Sequence, residues 1–196
     1  TFAADAVIEA AQAGQTAFGE NYLQEALEKI VELQRAGLLL EWHFIGPIQS
    51  NKTRPIAEHF AWVHSVEREK IAQRLSDQRP ASLPPLNVCL QVNISGEASK
   101  SGVLPEEAEQ VAKAIARMPR LRLRGLMAIP EPAEGFEAQR APFRAMRELF
   151  GRLRGQGLEL DTLSMGMSGD IEAAIAEGAT IVRVGTAIFG KRDYAK

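Results

Sequence analysis

The sequence predicts an α/β protein of repeated strand–helix units: either an eight-stranded (β/α)8 barrel whose first strand lies outside this chain, or an open doubly wound sheet. Three observations lead there. Apolar strand-like segments alternate with helical ones from end to end. Several of those strands are near-continuous apolar runs, as expected when helices cover both faces of a parallel sheet. The 196 residues, 45% hydrophobic and 24% charged, suit a single domain spanning residues 1–196, with no linker long enough to divide it.

From Asp5 the apolar residues Val7, Ile8 and Ala11 recur at helical spacing and stop at Gly14. The strand TAFGEN follows. Residues 22–35 read as an amphipathic helix with Leu23, Ala26, Leu27, Ile30, Val31 and Leu33 on its apolar face, ended by Gly37. The strand EWHFIG, a polar segment QSNKTRP leading into a short helix, and the strand WVHSV come next. A helix over 67–76 then precedes the surface loop RPASLPP. The second half repeats the rhythm in longer pieces: strand NVCLQVN, helix 105–118, strand LRGLMAI, helix 136–154, strand DTLSMG, helix 171–177 and strand IVRVG. Seven strands result, around Phe18, Phe44, Val63, Leu90, Leu126, Ser164 and Val182. The chain enters almost at once into helix, so an eighth strand, the first of a barrel, would stand upstream.

Composition excludes several classes of function. A formal net charge of −2 gives no basic footprint for nucleic acid or an anionic membrane. No apolar stretch approaches the roughly 20 residues of a membrane span, and no signal peptide opens the chain. The lone Cys89, inside NVCLQVN, allows no disulfide framework and reads as a small buried core residue, so a cytoplasmic protein is expected. His43, His59 and His64 lack metal-ligand spacing, so no metal site is expected. Lys52 and Lys100 lie in polar stretches that suit solvated or phosphate-steering lysines.

Ligands of parallel α/β folds sit at the carboxyl ends of the strands. Those ends read GENY (19–22), HFIGPIQSNK (43–52), VNIS (92–95), MAIPEP (127–132), SMGMSGD (164–170) and VGTAIFG (184–190). The last two suit a phosphate. Ser168 is placed where a helix begins and can offer a hydroxyl beside backbone N–H groups, Gly185 lets backbone approach closely, and Thr186 adds a second hydroxyl. The plainer reading makes Ser168 an N-cap and Gly185 a turn residue. Arg183, inside the strand IVRVG, is a charge that needs a partner; it is either salt-bridged to a carboxylate or a fixed donor to a ligand's acceptor. Met127, Met165 and Met167 suit core or pocket walls.

Five ordered motifs, GENY, WHFIGPIQSNK, LRLRGLMAIP, LSMGMSGD and RVGTAIFGKRDY, together resemble the PLP-homeostasis family, whose fold is similar to the N-terminal barrel of alanine racemase. The resemblance spans essentially the whole chain. It implies the (β/α)8 barrel over the open sheet, pyridoxal 5′-phosphate (PLP) as cofactor, and a role in vitamin B6 balance without established turnover; a racemase-like PLP enzyme is the alternative. By motif, Ser168, Gly185 and Thr186 would hold the phosphate, Arg183 would face the pyridine nitrogen, Asn21 would lie near the ring's polar edge, and Met165 would help form the wall. The family's Schiff-base lysine falls in a segment resembling SKT whose threonine corresponds to Thr1, so the lysine is expected immediately before the first residue. Apo PLP-dependent enzymes are the implied recipients, and a monomer is expected. The family often has an acidic residue where Gly169 follows Ser168.

Overall fold

The strand and helix periodicities resolve, in a computed structural model that describes residues 2–97 and 100–190, into seven strands and eight α-helices in strict alternation. The elements run α1 (Ala4–Gln12), β1 (Ala17–Glu20), α2 (Leu23–Arg35), β2 (Glu41–Phe44), a 3-10 turn (Ser50–Lys52), α3 (Thr53–His59), β3 (Trp62–Val66) and α4 (Glu69–Gln78). They continue with β4 (Leu86–Gln91), α5 (Ala108–Ala116), β5 (Leu121–Met127), α6 (Phe136–Gly155), β6 (Thr162–Met167), α7 (Ile171–Ala176), β7 (Ile181–Arg183) and α8 (Thr186–Phe189).

All seven strands are parallel and pair with their sequence neighbours in the order β1 to β7. Alternation along each strand separates two cores. Outward-facing residues such as Phe44, Val63, Val88, Leu90, Leu126 and Leu163 pack with Ile30, Leu75, Ile115, Phe143 and Met146 of the helices. Each fully buried Leu, Ile or Phe there contributes about 1.5–3 kcal/mol. Inward-facing Trp62, Cys89 and Met127 form a second, smaller cluster against Ile181.

That inner cluster exists because the sheet curls. His64 on β3 and Ser164 on β6 are three strand spacings apart, about 14 Å in a flat sheet, yet their side chains meet at 2.7 Å. Only a barrel-like curvature allows this, which decides against the open sheet. β1 and β7 are the two edges, unpaired with each other among the described residues. Phe2, ahead of α1, stacks on Phe189 of α8 with ring centroids 4.9 Å apart, bringing the start of the chain to the seam between those edges.

Two local readings change. The apolar face of α2 is Ala26, Ile30 and Leu33, spaced at i, i+4 and i+7, while Val31 is 42% exposed. Lys29 is buried instead, its ammonium held by the buried Glu20 carboxylate at the end of β1. Residues 186–189, within the expected strand end VGTAIFG, form the short helix α8.

Candidate functional site

The strand ends gather most of the expected residues at one mouth of the barrel. Arg183 ends β7, and its partners are neutral: Nη1 donates to Ser164 Oγ (2.7 Å) and Nη2 to the Ala128 carbonyl (2.9 Å). No carboxylate among the described residues forms an ion pair with it. Burial pulls its guanidinium down to about 10, offset only in part by Cys89 and Asp170. A cation with so little negative charge beside it is poised to donate to a ligand's acceptor.

The loops after β6 and β7 are tied to each other. Gly166 has φ +96°, and a β-carbon there would lie 2.5 Å from Ala174 Cβ, so only glycine lets β6 turn sharply against α7. Residues 168–170 form that turn, where Asp170 Oδ1 accepts the Met167 N–H at 2.7 Å and Asp170 stands at the N-cap of α7. Ser168 is therefore two residues ahead of the cap, not the cap itself. Its hydroxyl oxygen accepts the Ala187 N–H of α8 at 3.4 Å. Gly185 precedes α8 with open space where a side chain would be, and Thr186 opens α8 exposed. Ser168, Arg183, Gly185 and Thr186 thus belong to one neighbourhood.

Asn21 directly follows β1, on the opposite edge of the seam, partly exposed. A β-carbon at Gly46 would sit 2.0 Å from the Asn21 carbonyl oxygen, so glycine at 46 is what lets the loop after β2 pack against it. Met165 is fully buried in the layer between sheet and helices, on the face of β6 opposite Ser164. It supports the strand from behind rather than lining the barrel's interior.

α7, which carries the Ser168 turn, is anchored from α6. Glu177 at its end, fully buried, meets Arg140 (2.7 Å), Arg147 (3.1 Å) and Arg144 (3.5 Å). Burial alone would raise this carboxyl, but Arg140, Arg147 and Arg144 together hold it below the usual range. Lys100 joins Glu97 (3.4 Å) and Glu131 (3.6 Å), linking the loops after β4 and β5, and Lys52 is exposed.

The interior holds a hydrogen-bonded line that residue-by-residue reading missed. Glu41 Oε1 lies 3.0 Å from His43 Nε2, His43 Nδ1 is 2.8 Å from His64 Nε2, and His64 Nδ1 is 2.7 Å from Ser164 Oγ. Burial lowers the pKa of both histidines; His43 and Arg183 lower that of His64 further, while Glu41 partly restores that of His43. The available signal was a histidine at inward positions of two apolar strands, EWHF and WVHSV. Among the described residues no cluster of three His, Cys, Asp or Glu could hold a metal. Cys89 is fully buried, and burial pushes its thiol up to about 12, so it is an inert core residue.

Comparison with known proteins gives the family and the fold. Residues 2–193 match the family described as alanine racemase, N-terminal domain. The pyridoxal phosphate homeostasis protein of Pseudomonas aeruginosa is 69% identical over 97% of this chain and 81% of its own length. That of Escherichia coli is 57% identical over 98% of this chain and 83% of its own. Among solved structures, PipY of Synechococcus elongatus PCC7942 superposes with a TM-score of 0.88 without PLP and 0.86 with PLP bound. The PLP-free structure is 39% identical and is matched over 95% of this chain and 87% of its own. An alanine racemase from Clostridium difficile, 15% identical with a TM-score of 0.77 over 98% of this chain and 51% of its own, shares the fold. The chain belongs to the pyridoxal phosphate homeostasis protein family, built on the alanine racemase N-terminal fold.

Proposed function

We propose that this protein holds pyridoxal 5′-phosphate at the carboxyl ends of its last strands and serves vitamin B6 homeostasis rather than sustained catalysis. The observation that carries this is the donor set: a guanidinium whose hydrogen-bond partners among the described residues are neutral, two hydroxyls and an open glycine, all within the segment 164–187. That set suits a ligand bearing a dianionic phosphate and a ring acceptor, and PipY, a relative of the same fold, has been solved with PLP bound.

In this reading Ser168, Thr186 and the backbone around Gly185 hold the phosphate, Arg183 donates to the pyridine nitrogen, and Asn21 lies toward the ring's polar edge. Met165 backs the wall through β6. By the family resemblance, a lysine immediately before Thr1 would hold the cofactor covalently. When bound, the cofactor supplies an aldehyde that condenses with amines and a ring that takes up electron density. Arg183 cannot hand over its proton at neutral pH, so it would leave the ring nitrogen unprotonated, and such a ring is a weaker electron sink than a pyridinium paired with a carboxylate. Holding the cofactor is favoured over transamination. The protein acts in the cytoplasm as a monomer and passes PLP to apo PLP-dependent enzymes.

The test is an absorption titration of the full-length protein with PLP, followed by borohydride and peptide mapping. A saturable visible band, lost on reduction with the label on the lysine before Thr1, is expected. No band at any PLP concentration would refute the reading. Robust racemisation of amino acids by the loaded protein would favour a racemase-like enzyme instead.

A further inference from the structure

The line Glu41–His43–His64–Ser164–Arg183 crosses the barrel interior from the start of β2 to the end of β7. Its polarity follows from one member. A guanidinium only donates, so Ser164 Oγ accepts from Arg183 Nη1 and must send its own hydrogen elsewhere. The neighbour within reach is His64 Nδ1 at 2.7 Å, which must then be the bare nitrogen of the ring. His64 consequently carries its proton on Nε2 and donates to His43 Nδ1, and His43 donates from Nε2 to Glu41 Oε1. Every polar atom on the line is satisfied with both imidazoles neutral. Were His64 doubly protonated, Ser164 would accept twice and its own hydrogen would lose its acceptor.

Resting on the cofactor reading above, we infer that His64, acting through Ser164, is a positioning residue that locks Arg183 as a one-way donor at the cofactor ring, with His43 and Glu41 as its anchor. The other charged or titratable groups around His64 do not compete for the line. Cys89 on β4 sits in the inner cluster beside Trp62, and Arg124 on β5 lies over the Trp62 ring at 4.7 Å while paired with Asp161 at 2.7 Å. Arg183 itself has its second donor fixed by the Ala128 carbonyl. Among the described residues, Ser164 is the joint between the histidines and the guanidinium.

A double-mutant cycle on PLP affinity in the full-length protein tests this. His64→Leu and Ser164→Ala should each weaken PLP binding about tenfold, the worth of one hydrogen bond to a charged group. The double variant should bind no worse than either single one, because both break the same joint. His64→Asn, whose Oδ1 can replace Nδ1 as acceptor, should stay within about threefold of the parent. Additive losses of about a hundredfold in the double variant would overturn the proposal, as would His64→Leu binding like the parent. If a variant fails to fold, nitrogen-detected NMR of the parent decides: both histidines must be neutral Nε2–H tautomers, and an Nδ1–H tautomer at His64 overturns the proposal. A parent protein that binds no PLP defeats the cofactor reading and this inference with it; a parent that binds, with additive variants, defeats this inference alone.

Discussion

Arg79, buried, and Arg183, partly buried, both hydrogen-bond within the protein, and their surroundings divide scaffold from proposed site. Arg79, 4% exposed, donates Nη1 to the carbonyls of Ala57 (2.6 Å) and Phe60 (2.8 Å), and Nε to that of Pro84 (2.9 Å). Ala57 and Phe60 lie at the C-terminal end of α3, whose orphan carbonyls and negative dipole end offset a positive charge. Arg183 has one hydroxyl and one carbonyl for company and stands beside an open glycine and an exposed threonine. Burial lowers the pKa of both side chains. The difference lies in where the hydrogen bonds lead: into backbone that the fold must satisfy anyway, or along a side-chain line that ends at the strand mouth.

Substitution should split the two roles cleanly. Arg79→Met leaves three carbonyls without their donor and should cost about 3 kcal/mol of stability in urea melts, with PLP affinity of the folded protein unchanged. Arg183→Ala should do the reverse, weakening PLP about a hundredfold while shifting stability by less than about 1 kcal/mol. A large stability loss at Arg183, or a PLP defect at Arg79, would dissolve the contrast.

Acid sharpens it further, with a smaller effect. His43 and His64 have folded pKa values below the ordinary 6.5, so the unfolded chain binds more protons than the native one just below that pH. Their contribution to stability is fully present above about 6.5 and is lost progressively as pH falls beneath it. Urea midpoints measured at pH 7.5 and 5.5 should fall with acidification, and His64→Asn should narrow the drop. An equal drop in that variant would place the acid sensitivity elsewhere.

Much of this architecture was legible in the chain itself. The strands announced themselves because parallel strands covered by helices are apolar throughout, as in VCL within β4, and all seven lie where expected. The expected α2 face is too wide, most clearly at Val31, because a valine beside Ile30 looks core-facing until the 100° step per residue is applied. Lys29 was missed because its burial depends on Glu20, a residue of another element. The residue types single out the two loops proposed to hold the phosphate, yet their joining through Ser168 and Ala187 belongs to geometry alone. Strand alternation set Met165 behind the sheet, opposite Ser164, and no side-chain chemistry announces that. The histidine line joins residues 21 and 100 positions apart, so neither motif in isolation could disclose it.

The most direct test of the central claim is equilibrium PLP binding by the full-length protein at neutral pH, compared with Ser168→Ala combined with Thr186→Val. Saturable binding that the paired substitution weakens at least tenfold is predicted, with the folded midpoint unmoved. Saturable binding that ignores both substitutions, or no saturable binding in the parent, would contradict a phosphate site at the ends of β6 and β7.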